Sequence, residues 1–159
     1  MAERILIPLD GSELGEMALR YVEKMVAKLH PQEKPEVILL QVIAPAVHHI
    51  PVEGGHVDVV NGKQVLQQAK ERAENYLEMS GESLRKEGAD VKCKVVIRKE
   101  NTSSADNIIK AEEELDIDLV AMSTHGRRGL SQWAIGSVTD KVLRNGSVPV
   151  LMVRAGSEK

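Results

Sequence analysis

No phenylalanine occurs in this chain, and one tryptophan and two tyrosines make up its entire aromatic content. The interior must therefore be packed with aliphatic side chains, and an aromatic platform for stacking single-stranded nucleic acid is not expected. Cys93 is the single cysteine, which excludes an internal disulfide and fits a reducing cytoplasm. Basic residues are not in excess: 21 Lys and Arg stand against 24 Asp and Glu, for a net charge of -3. That balance argues against the basic face that nucleic acids and anionic membranes select. No apolar run reaches the length of a membrane helix. The opening MAERILIPLD has neither the apolar core nor the small-residue cleavage site of an export signal, so a cytoplasmic protein is expected. The sequons at Asn101 and Asn145 would then go unused.

What is present is ordinary globular material. At 159 residues, 42% hydrophobic and 28% charged, the chain fits one domain, 1–159, with a substantial core. RILIPL, Arg4 to Leu9, is a short apolar run ended by Asp10-Gly11-Ser12, a buried strand followed by a helix start. Leu14, Met17, Ala18, Tyr21, Met25, Val26 and Leu29 then share one helical face, and Pro31 stops that helix near His30. VILLQVI, Val37 to Ile43, is apolar almost throughout, as a strand covered on both faces must be. Residues Ala44 to Gly62 show no clear period and predict a long connection. Lys63 to Lys86 is rich in strong helix formers, with strain expected at Gly81 and a stop at Gly88.

Val91 to Arg98 predicts a third strand at a sheet edge, and Ser103 with Asp106 predicts a capped helix. Leu119 to Met122 follows as a fourth strand, Ser137 to Arg144 as a helix and Val148 to Val153 as a fifth strand. Strands alternating with helices predict an α/β fold: an open, doubly wound, parallel five-stranded sheet with helices on both faces. Such sheets bind ligands beyond the carboxyl ends of their strands, where the winding reverses. Asp10, Val42 and the Ser123–Gly136 loop would all gather at that rim.

The segment SVTD that follows Gly136 admits two readings. Glycines let a ligand approach the backbone, and the amides of Ser137, Val138 and Thr139 at a helix N-terminus could face an anion. Ser137-Val138-Thr139-Asp140 is equally a capping-box pattern, which would make the segment a plain helix start. Asp10 has the same ambiguity between ligand contact and cap.

Three stretches resemble the universal stress protein family: ILIPLDGSE, LLQVI and THGRRGLSQWAIGSVTDKVLRNGSVPVLMV. The likeness runs the length of the chain. The family's ATP-binding branch carries glycine, two residues, glycine, nine residues, glycine, then serine or threonine. Gly126 takes the second glycine, residues 127–135 the spacer, and Gly136-Ser137 the closing pair. Ser123 stands where the first glycine is expected. A positive φ there would cost a serine about 1 kcal/mol, whereas a need only for a small side chain would be met.

The resemblance implies a Rossmann-like fold akin to the adenine nucleotide alpha hydrolases, and a site for ATP, or AMP in its place, with Mg2+. Asp10 would contact adenine or ribose, and Val42 would read the adenine edge through its backbone. Pro8, Met122, Ser123, Gly126, Arg127, Gly136, Ser137 and Val138 would line the remainder. Arg127 or Arg128 could neutralise phosphate charge, or both could be a solvated loop tip.

His48, His49 and His56 fit no compact zinc spacing, so no metal site is expected. His125 and Trp133 read as loop residues and Cys93 as packing. No Walker loop, nucleophile elbow or paired-histidine motif is present, so no catalytic residue is assigned. The expected role is a stress-response protein that senses ATP. The rivals are a member that has lost nucleotide binding and works through protein contacts, and a slow ATPase. The apolar strand Val148 to Val153 would leave a sheet edge bare, which predicts a homodimer paired through it.

Overall fold

The computed structural model describes residues 4–45, 47–60, 62–124 and 135–154, with backbone alone at 47–52 and 56–60. Five parallel strands form one sheet: β1 (Arg4–Pro8), β2 (Glu36–Ile43), β5 (Asp90–Ile97), β6 (Leu119–Thr124) and β7 (Val150–Arg154). Their order is β5-β2-β1-β6-β7. The chain therefore winds outward from β1 through β2 to β5, then returns to the other side of β1 for β6 and β7. The expected doubly wound parallel sheet is present, and the winding reverses between β1 and β6.

Alternation along the strands divides the core in two. Ile5, Ile7, Val37 and Leu39 face α1 (Glu13–Val26), whose Ala18, Leu19, Val22 and Val26 are buried against them. Leu77 of α2 (Lys63–Ser80) and Leu84 of α3 (Glu82–Lys86) complete that layer. Leu6, Ile38, Leu40 and Val120 point the other way, onto Ala105, Ile108 and Ala111 of α4 (Ser104–Glu114) and Val142 of α5 (Ser137–Asn145). Near-continuous apolar strands are what burial on both faces requires.

Several boundaries differ from the sequence pattern for identifiable reasons. The helix expected over Lys63–Lys86 divides at Gly81, where a Cβ would lie 2.9 Å from Val91 Cγ1 and 3.3 Å from Leu39 Cδ1. The chain passes too close to the sheet there for any side chain. The connection expected over Ala44–Gly62 contains an antiparallel ribbon, β3 (Val47–Val52) with β4 (Gly55–Val60), turning at Glu53-Gly54. Gly54 has φ +97, which the tight turn needs. Strand β6 runs past Met122 to Thr124, so Ser123 belongs to the sheet and pairs with Val153. Strand β7 begins at Val150 rather than Val148.

Candidate functional site

Three elements meet beyond the carboxyl ends of β1, β2 and β6. The first is the start of α1. Ser12 is its N-cap and accepts from the Gly15 amide at 3.0 Å. Asp10 is thus not the cap but the residue that holds it: its Oδ1 accepts from the Ser12 amide at 2.9 Å and the Ser12 hydroxyl at 2.5 Å. The carboxylate lies over Gly15, where a Cβ would come within 2.8 Å of Oδ1. Its second oxygen, Oδ2, has no partner among the described residues.

The second element is the end of β2. The last bond between β1 and β2 runs from the Leu9 amide to the Leu40 carbonyl at 2.8 Å, while Ile43 turns its carbonyl to β5 and accepts from Arg98. Backbone groups alternate sides along a strand, so the amide and carbonyl of Val42 face where β1 would continue. Strand β1 has ended by then. Val42 therefore presents a backbone edge to the rim.

The third element is the mouth of α5. Its N-cap is Gly136, with no side-chain cap, so the capping-box reading of Ser137-Val138-Thr139-Asp140 is corrected. Ser137 is already the first helical residue, too far along to cap. The amides of Ser137, Val138 and Thr139 make no hydrogen bond among the described residues, as helix N-termini leave them unless capped. A Cβ on Gly136 would meet no described residue within 4 Å.

Between these elements lies a cavity of about 340 Å³. That size suits a small organic ligand, for which roughly 300–1,000 Å³ is usual. Pro8, Asp10, Val42 and Met122 border it from the strand ends. Ser123 borders it from the end of β6, and Gly136, Ser137 and Val138 border it from the mouth of α5. The structure thus brings together eight of the ten residues expected in a site; Gly126 and Arg127 lie outside the described residues, as do His125, Arg128 and Trp133.

Ser123 stays clear of the left-handed region: among the described residues only Asn101 and Asp116 are non-glycines with positive φ. Its hydroxyl turns to α1, accepting from the Ala18 amide at 2.8 Å and donating to the Gly15 carbonyl at 3.3 Å. The serine in place of the first motif glycine therefore adds no backbone strain.

Sequence reasoning missed the contribution of α4, from which Ser104 and Ile108 also border the cavity. Topology offered the signal, because a helix entered from a parallel strand begins at the rim where that strand ends. Elsewhere, burial and the Glu78 carboxylate push the Cys93 thiol up to about 11, so it is inert near neutrality. Among the described residues no group of three His, Cys, Asp or Glu could hold a metal. None of the helices they form is long and apolar enough to cross a membrane.

Residues 1–154 match the model of the universal stress protein family. The chain belongs to that family. Universal stress protein MJ0577 of Methanocaldococcus jannaschii is 29% identical over 97% of this chain and 96% of its own length. The solved structure of MJ0577 superposes with a TM-score of 0.71, at 26% identity and 98% coverage of both chains. Two more distant members share the fold. The universal stress protein from Archaeoglobus fulgidus in complex with dAMP has a TM-score of 0.59 at 20% identity, covering 94% of this chain and 95% of its own. The Arabidopsis thaliana member with AMP bound has a TM-score of 0.62 at 11% identity, covering 98% and 93%.

Proposed function

We propose that this universal stress protein is a cytoplasmic sensor that binds ATP, or AMP in its place, as a regulatory ligand. One juxtaposition carries the reading: an uncapped helix mouth and a half-committed carboxylate flank a single cavity. The amides of Ser137, Val138 and Thr139 would take phosphate oxygens, aided by the positive end of the α5 dipole. Asp10 Oδ2 would accept from the ribose hydroxyls, and the open backbone edge of Val42 would pair with the adenine edge. The space above Gly136 fits phosphate against backbone. Mg2+ would ride on the phosphates with water completing its shell, which suits a site poor in carboxylates. Arg127 and Gly126 would join from the loop, as the motif implies.

Sensing is favoured over turnover because Asp10 is the only ionisable side chain among the described residues bordering the cavity. That carboxylate is tied to Ser12, within the α1 end of the site. A general base beside the phosphates is what hydrolysis would need. Nucleotide-bound relatives are consistent with the reading. We further propose a homodimer: β7 ends the sheet order, and pairing it with a second copy would cover the edge.

The test is mass spectrometry of the small molecules released when the freshly purified protein is denatured. ATP or AMP near one equivalent per chain is expected. Absence of any nucleotide, together with no thermal shift on adding millimolar ATP, would overturn the reading in favour of a member acting through protein contacts alone.

A further inference from the structure

Two helix mouths border the cavity, and they differ in capping. That of α5 is uncapped. That of α4 is closed by a complete capping box: Asp106 Oδ2 accepts from the Ser103 amide at 2.8 Å and from its hydroxyl at 2.7 Å, while Ser103 Oγ accepts from the Asp106 amide at 3.2 Å. Lys141 Nζ reaches Asp106 Oδ1 at 2.8 Å and Ser103 Oγ at 3.2 Å, which fixes the arrangement from α5. The box engages the amides of Ser103 and Asp106 and its carboxylate is already paired with Lys141, so this mouth offers an anion fewer open donors than that of α5.

Ser104 stands one residue inside that cap, at the first position of α4, and borders the cavity. Capping is done by Ser103, and the Ser104 hydroxyl makes no hydrogen bond among the described residues. One turn on, Ile108 is 3% exposed and adds an apolar wall to the same cavity. A flat heterocycle needs this combination: apolar contact for its face and a hydroxyl for its edge.

We propose that Ser104 is a specificity-determining residue whose hydroxyl reads a heteroatom on the base of the bound nucleotide. The inference rests on the nucleotide reading and adds to it a contact from α4. A hydroxyl both donates and accepts, so it can pair with a ring nitrogen or an exocyclic amine.

The test is calorimetric titration of the nucleotide-stripped full chain with ATP, and with CTP by competition, for the wild type, Ser104→Ala and Ser104→Thr. ATP and CTP share ribose and phosphates and differ only in the base. Loss of one neutral hydrogen bond predicts ATP binding weakened about 2- to 10-fold in Ser104→Ala. CTP should lose less, so the preference for ATP narrows, and Ser104→Thr should behave as wild type. Unchanged ATP affinity in Ser104→Ala, or equal losses for ATP and CTP, would overturn this inference while leaving the nucleotide reading intact. A wild type that binds neither nucleotide would overturn both.

Discussion

Ser123 Oγ accepts a hydrogen bond from the Ala18 amide at 2.8 Å, joining the end of β6 to the second turn of α1. The Ser123 carbonyl also accepts a long bond, 3.5 Å, from the Thr139 hydroxyl of α5. One residue thus connects the strand end, the helix whose cap Asp10 holds and the helix whose mouth is open. The side chain acts on the scaffold through α1.

A consequence is that Ser123→Gly should separate stability from binding. Losing the part-buried hydroxyl is expected to lower stability by about 1 kcal/mol. Affinity for ATP should stay within about threefold, since the two lost hydrogen bonds are both to α1. Chemical denaturation and calorimetry on the same preparation check both. Abolished ATP binding with unchanged stability would place the hydroxyl on the ligand instead.

Asp106 predicts a pH dependence. Hydrogen bonds from Lys141 and then from Ser103 hold its carboxyl well below the usual carboxylate range. A depressed folded value means the contribution is complete above the unfolded value and fades as pH falls toward the folded one. Asp106→Asn should therefore melt below the wild type at pH 7. The gap should close progressively below about pH 4, where unfolded aspartates protonate. A gap that stays constant down to pH 2 would contradict the ion pair and its cap.

Gly146 is required for space rather than for its backbone angle. Its φ is -71, open to any residue, yet a Cβ would lie 2.6 Å from the Val142 carbonyl oxygen and 2.8 and 2.9 Å from the Glu112 carboxylate oxygens. Glu112 is only 2% exposed and accepts from the Ser147 amide at 2.8 Å, so it cannot swing aside cheaply. Gly146→Ala is expected to lower stability by about 1–3 kcal/mol, the usual range for overpacking. Thermal unfolding measures it. A melting temperature equal to the wild type would show that α4 and α5 part more easily than their packing implies.

The legibility of this fold follows from where each signal is local. Aliphatic runs at Arg4 to Leu9 and Val37 to Ile43 announce buried parallel strands, because only two-sided burial tolerates so little polarity. The Ser103–Asp106 box is readable because both partners sit three residues apart on one turn. The fate of Ser137 was not readable: whether a serine caps or follows the cap depends on where the backbone turns, and Gly136 takes that position. The break at Gly81 depends on Val91 and Leu39, which are close in space and distant in sequence. The role of Ser123 toward α1 spans 105 residues and has no local signature. The α4 wall of the cavity was missed for the same reason, since only the assembled topology brings Ser104 to the rim.

In the proposed function the open mouth of α5 seats the phosphates of an adenine nucleotide. Gly136→Val probes that seat, because a Cβ there would meet no described residue within 4 Å. Nucleotide-stripped wild type and Gly136→Val, matched in melting temperature, should be titrated with ATP and Mg2+ by calorimetry. Saturable binding near one site per chain is expected in the wild type, with a loss of tenfold or more in the variant. Equal affinities in the two proteins would contradict it.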